Sequence, residues 1–153
     1  MKTRAPFLYQ IARFIGEAKF DIDVIHQANR VIADTVGTAF SGVRTEAFRR
    51  ALKSKNELFG DGDFEIWGTD QSSALTGAIF YSALAISSTD FDEGHRKAVG
   101  HPASLVVPTA LVLGKPLGLP SLEIRKAVII GYEIATRFSY ARYKEKITTY
   151  ASG

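Results

Sequence analysis

The chain has 153 residues, enough for one domain with a single sizeable core, and its 46% hydrophobic and 23% charged residues carry no signature of disorder. A formal charge of +3 is too mild to point to nucleic acid, and no module that binds RNA or DNA is recognisable. The absence of cysteine excludes disulfides, thiolate nucleophiles and cysteine metal sites, and suits a reducing compartment.

Taken in order, the elements are helical almost throughout. The N-terminal stretch is interrupted by Arg13, Glu17 and Lys19 before a signal-peptide core can form. It reads instead as a helix opening at Pro6, with Leu8, Ile11 and Ile15 on one face. Asp21 caps a second helix, with Ile22, Ile25, Ile32 and Val36 at helical spacing and Gly42 near its end. Thr45 opens a short basic helix through Lys53 that buries Phe48 and Leu52. The run from Phe59 to Gly68 is rich in glycine and aspartate and predicts a loop with one short extended piece at Phe64–Trp67. Asp70 is expected to cap the next helix, which runs to about Ser87. Its small residues (Ala74, Gly77, Ala78, Ser82, Ala85) let neighbours approach closely, so it belongs near the centre of a bundle. Pro102 begins a further helix that ends before Pro116. Ser121 caps a long final one, expected to bury Ala127, Ile130, Ile134 and Phe138 and to pair Glu133 with Arg137. Gly131 within that helix is explained by close packing. No apolar run approaches the length of a membrane span. The expectation is an all-α bundle of five to six helices in a cytoplasmic protein that contacts neither membrane nor nucleic acid.

The stretch most informative about function is residues 90 to 104, DFDEGHRKAVGHPAS. It sets Asp90, Asp92, Glu93, His95, Arg96, Lys97 and His101 between two apolar helices. Three readings are open. Asp90 and His101 act as general base and acid, since histidine titrates near neutrality and a carboxylate tunes it. Arg96, Lys97, Ser104 and the first N–H groups of the Pro102 helix then hold substrate carboxylates. Alternatively, Asp90, Asp92, Glu93, His95 and His101 ligate a divalent metal, although their spacing matches no compact metal motif. The plain alternative is a solvated loop of capping acids.

Other features read as structure. Gly60-Asp61-Gly62-Asp63 lacks the ligand alternation of a calcium loop. Gly114-Lys115-Pro116 lacks the rest of a phosphate loop. Trp67 is a core anchor, His26 a surface histidine, and Arg44, Arg49, Arg50, Lys53 and Lys55 a solvated face.

The string IWGTDQSSALTGAIFYSALAISSTDFDEGH, the continuation GHPASLVVPTALVLGKPLGLPSLEIRKAVIIGYEIATRF and the earlier VIADTVGTAFSG together resemble the MmgE/PrpD family of enzymes. The likeness runs from about Ile22 to Gly153. It implies the N-terminal part of that family's helical domain, so residues 1–153 are expected to form a single incomplete all-helical domain without the family's second, α+β domain. It further implies a fragment of a lyase or isomerase for a small di- or tricarboxylate, with no organic cofactor, no metal, and a homodimer as the assembly. By resemblance, Asp90 matches the first acid of the active-site turn and His101 the histidine of a His-Pro pair, both candidates for proton transfer. His95, Arg96, Lys97 and Thr149 are the accompanying substrate-binding candidates. Where decarboxylase-like members place a threonine after the acidic turn, this chain has Gly94, and their second histidine is replaced by Ile147. Those departures favour a 2-methylcitrate dehydratase-like reaction, with an iminodisuccinate epimerase-like one as alternative, over cis-aconitate decarboxylation. The isolated chain is expected to be inactive. A non-catalytic helical module for oligomerisation or binding is the competing expectation.

Overall fold

A computed structural model describes residues 6–141. Thr149 and Ile147 lie outside the described residues. Among the described residues, seven helices run in the order α1 (Phe7–Glu17), α2 (Ile22–Gly42), α3 (Glu46–Leu52), α4 (Lys55–Phe59), α5 (Leu75–Ser87), α6 (Ala103–Gly114) and α7 (Ser121–Ala141). Between α4 and α5, β1 (Phe64–Glu65) and β2 (Ser72–Ser73) pair antiparallel, Phe64 opposite Ser73. The class is all-α, and no described helix is long and apolar enough to cross a membrane.

The small-residue helix is central as expected. α5 packs on α2 and α6 and is flanked by α3 and α4. A Cβ on Gly42 at the end of α2 would stand 1.7 Å from the Ala85 carbonyl oxygen, so backbone meets backbone where α2 crosses α5. Around this crossing, Phe48, Ile66, Tyr81 and Ile86 form one core. Ala103, Val107 and Val128 form a second, and half-buried Trp67 packs against both. Thr45 caps α3 as expected, its hydroxyl accepting from the Phe48 N–H at 3.2 Å.

Four local expectations change. The helix expected from Asp70 begins at Leu75. Thr69 folds the intervening turn by donating to the Ile66 carbonyl, and Ser72–Ser73 are drawn into the strand pair. Residues Lys55–Phe59, unassigned from sequence, form α4. The α1 face of Leu8, Ile11 and Ile15 is not buried: α1 has no buried residue, and Leu8 is 75% exposed. On α7 the buried positions are Val128 and Thr136, not Ala127 and Phe138. The reason is Gly131, whose missing Cβ lets Val106 of α6 approach to 2.8 Å of where it would stand, turning that side of the helix inward.

Candidate functional site

The segment linking α5 to α6 carries the cluster of titratable groups. Ser88 closes α5 by donating to the Leu84 carbonyl at 2.6 Å, and Asp90 then reverses the chain at φ 55°, a left-handed conformation that aspartate tolerates. Residues 95–100 form a closed turn. The His95 N–H donates to Gly100 O at 2.9 Å, the Val99 N–H to His95 O at 2.9 Å, and the Ala98 N–H to His95 Nδ1 at 3.1 Å. Val99 sits at φ 52°, where a β-branched residue is strained by about 1–3 kcal/mol. The turn therefore imposes a conformation that Val99 would not adopt by itself, and it delivers His101 to the mouth of α6.

His101 is bracketed by two carboxylates. Its Nε2 lies 3.6 Å from Asp90 Oδ1, and its Nδ1 lies 3.3 Å from Asp92 Oδ1. The environments differ sharply, since the Asp90 side chain is 90% exposed and that of Asp92 only 2%. Burial pushes the Asp92 carboxyl above its usual range, against the opposing attraction of His101. One ligand atom each from Asp90, Asp92 and His101 falls within 4.8 Å of the others, near enough to consider a cation. The two aspartates nevertheless approach opposite ring nitrogens, and one ion uses only one of them. The arrangement suits an oriented imidazole better than a metal, with Nε2 and Asp90 facing outward.

Glu93 ties this loop to the bundle. One of its oxygens accepts the Ala103 N–H at 3.3 Å and the other accepts the Tyr132 hydroxyl of α7. Burial first, and then the bond to Glu93 and its charge, push the Tyr132 phenol well above its usual range. The first N–H groups of α6 are thus already occupied, Ala103 by Glu93 and Ser104 by His101 O, and do not stand open to a substrate carboxylate.

Of the candidates from sequence, Asp90 and His101 come together. His95 is half-buried beside Tyr132, their ring centroids 6.2 Å apart. Arg96 and Lys97 are exposed on the turn, and neither is ion-paired among the described residues. Ser104 is buried, and its hydroxyl donates to His101 O at 2.7 Å, steadying the histidine from behind. From sequence, Asp92 and Glu93 read as metal ligands or capping acids, and Tyr132 is equally open to packing or an approach to the site; all three prove integral to the geometry. The signal for Asp92 was inverted. Hydropathy buries Phe91 and exposes its neighbours, whereas Phe91 is 80% exposed and Asp92 faces inward. A groove of about 1020 Å³ beside Trp67 lies away from this cluster.

Comparison with known proteins agrees with the region. The family model of the MmgE/PrpD N-terminal domain matches residues 9–151. Among curated proteins, the chain is 31% identical over 119 residues to a human cis-aconitate decarboxylase, covering 74% of this chain and 24% of that one. It is 27% identical over 122 residues to the mouse protein of the same name, covering 76% and 25%. Against that of Aspergillus terreus it is 24% identical over 126 residues, covering 79% and 26%. The chain thus spans about a quarter of the length of the curated relatives it matches. No solved structure matches significantly.

Proposed function

The chain belongs to the MmgE/PrpD family, and we propose that it supplies the Asp90–His101 half of an active site that moves protons on a small di- or tricarboxylic acid. The observation that carries this reading is the pair itself. A half-exposed imidazole with a carboxylate 3.6 Å from Nε2 sits on a strained, tightly bonded turn between two buried helices. A proton acceptor and a proton donor side by side are what loss or relocation of a group next to a carboxylate requires. Arg96 and Lys97 on the same turn, His95 behind it and Thr149 further along supply cationic and hydrogen-bonding contacts for the substrate's carboxylates. No organic cofactor or metal is needed for such chemistry.

The specific reaction we favour is dehydration of a 2-methylcitrate-like hydroxy acid, with epimerisation of an iminodisuccinate-like diacid as alternative. Decarboxylation of cis-aconitate takes its support from the names of the relatives. Gly94, where decarboxylase-like sequences are expected to carry threonine, counts against it. On this proposal the site is completed by further sequence of the family fold, including an α+β domain, so residues 1–153 alone show no turnover, and the whole enzyme works as a homodimer in the cytoplasm. A panel of 2-methylcitrate, iminodisuccinate and cis-aconitate, offered to the chain together with the remainder of the family fold, tests the proposal. Turnover of one of them, unaffected by a chelator, supports it. No turnover of any sinks it, and favours a non-catalytic helical module. That second reading has its own observation in α1, which buries no residue and exposes Phe7, Leu8 and Tyr9.

A further inference from the structure

We infer that Asp92 is a positioning residue, which holds His101 as the Nδ1–H tautomer and leaves Nε2 unprotonated toward Asp90 and the open side of the site. The inference starts from two orphans. His101 Nδ1 and Asp92 Oδ2 are both buried side-chain atoms without a hydrogen-bond partner, and they belong to groups that face one another at 3.3 Å. No other described side chain reaches that nitrogen, and water has no access to it, so the carboxylate of Asp92 is what can satisfy it. An ionised carboxylate only accepts, which obliges the nitrogen to donate. Of the two carboxylate oxygens it is Oδ1 that stands 3.3 Å from Nδ1.

The backbone that carries the ring is already restrained. The Ser104 hydroxyl donates to His101 O at 2.7 Å, the turn at residues 95–100 sets the approach of the chain, and the helix start at Pro102 follows immediately. At Gly94 even an added Cβ would lie 3.7 Å from Cε1, so this residue leaves the ring edge uncrowded. The backbone is therefore fixed, and the nitrogen that Asp92 does not face is the one at 3.6 Å from exposed Asp90. With its proton on Nδ1, neutral His101 presents a bare Nε2 as the proton-accepting atom. Protonated, it presents Nε2–H as the donor. Asp92 stabilises that second form without touching substrate. The catalytic consequence rests on the function proposed above; the tautomer does not.

Long-range ¹H–¹⁵N correlation spectra of the uniformly ¹⁵N-labelled chain with its three histidines, recorded at mildly alkaline pH, read the tautomer directly. His101→Gln assigns the signal. The expected result is a protonated Nδ1 and an unprotonated Nε2 at His101, with the tautomer ratio moving toward Nε2–H in Asp92→Ala and unchanged in Asp90→Asn. A wild-type His101 carrying its proton on Nε2 overturns the inference, and so does an Asp92→Ala variant that keeps the Nδ1–H form. The His26 and His95 signals report whether the variant is folded; should it not fold, the wild-type spectrum alone decides. Absent turnover with the Nδ1–H tautomer present rejects the proposed function and leaves the positioning role standing, while turnover with the opposite tautomer does the reverse.

Discussion

Replacing Tyr132 by phenylalanine removes one oxygen and isolates the tie between the 90–104 segment and α7. The lost interaction is a hydroxyl donating to the Glu93 carboxylate, a bond to a charged group that contributes about 1.5–3 kcal/mol when its partner is left without substitute. A groove of about 340 Å³ lined by Glu93 and Tyr132 lies alongside, so water can reach the vacated acceptor. Water access places the loss near the lower end, at about 1.5 kcal/mol, which for a chain of this size lowers Tm by about 3–6 °C. Urea unfolding followed by circular dichroism measures it. The pH dependence gives a second, independent signature. Because the phenol's folded pKa is raised above its ordinary value of 10.0, Tyr132 contributes stability that is fully present below about pH 10. That contribution is lost as pH rises further, when the unfolded chain ionises first. The difference between wild type and Tyr132→Phe should therefore be constant through neutrality and shrink above pH 10. A variant as stable as wild type at pH 7, or a difference that grows with alkaline pH, would refute the Glu93–Tyr132 tie.

Two further predictions concern other parts of the fold. On α2, Gly42→Ala drives a Cβ to 1.7 Å from Ala85 O, whereas Gly37→Ala meets nothing within 4 Å. Overpacking should cost the first variant about 1–3 kcal/mol or more, while the second gains about 0.5–1 kcal/mol from helix entropy. Equal effects of the two in thermal unfolding would contradict the close α2–α5 crossing. Asp92→Asn tests the buried carboxyl. Its folded pKa is raised from 3.8 by burial, so folding favours the neutral form more than the unfolded chain does, and the associated stability is lost as pH rises through that folded value. The variant should gain on wild type as pH rises from about 4 in acid-unfolding curves, and a gap that closes with that rise would argue against it.

The helices were legible because their signals are local. Asp21, Thr45, Pro102 and Ser121 mark starts at or next to the observed ones, and the small residues of α5 correctly announced a central helix. What was illegible depends on partners distant in sequence. Ser72–Ser73 could not be read as a strand without Phe64–Glu65 opposite, and the inward side of α7 is set by Val106 meeting Gly131. Leu8 and Ile15 follow a helical stripe, yet no described element covers it. At the candidate site, residue type and resemblance single out Asp90 and His101, which the fold brings within 3.6 Å. Asp92 reads from sequence as a metal ligand or capping acid rather than a partner of His101, because a buried acid beside an exposed phenylalanine violates the hydropathy pattern that serves elsewhere. Such local conflict, together with Val99 in a left-handed conformation, is expected where function rather than stability sets the sequence.

The central claim, that Asp90 and His101 transfer protons on a small carboxylic acid, is tested most directly by turnover of the responsive substrate by enzyme carrying His101→Ala or Asp90→Asn. General acid–base roles predict that kcat falls by about 10²–10⁴-fold in each, with unfolding midpoints near wild type. Near-wild-type kcat in both variants would contradict the account.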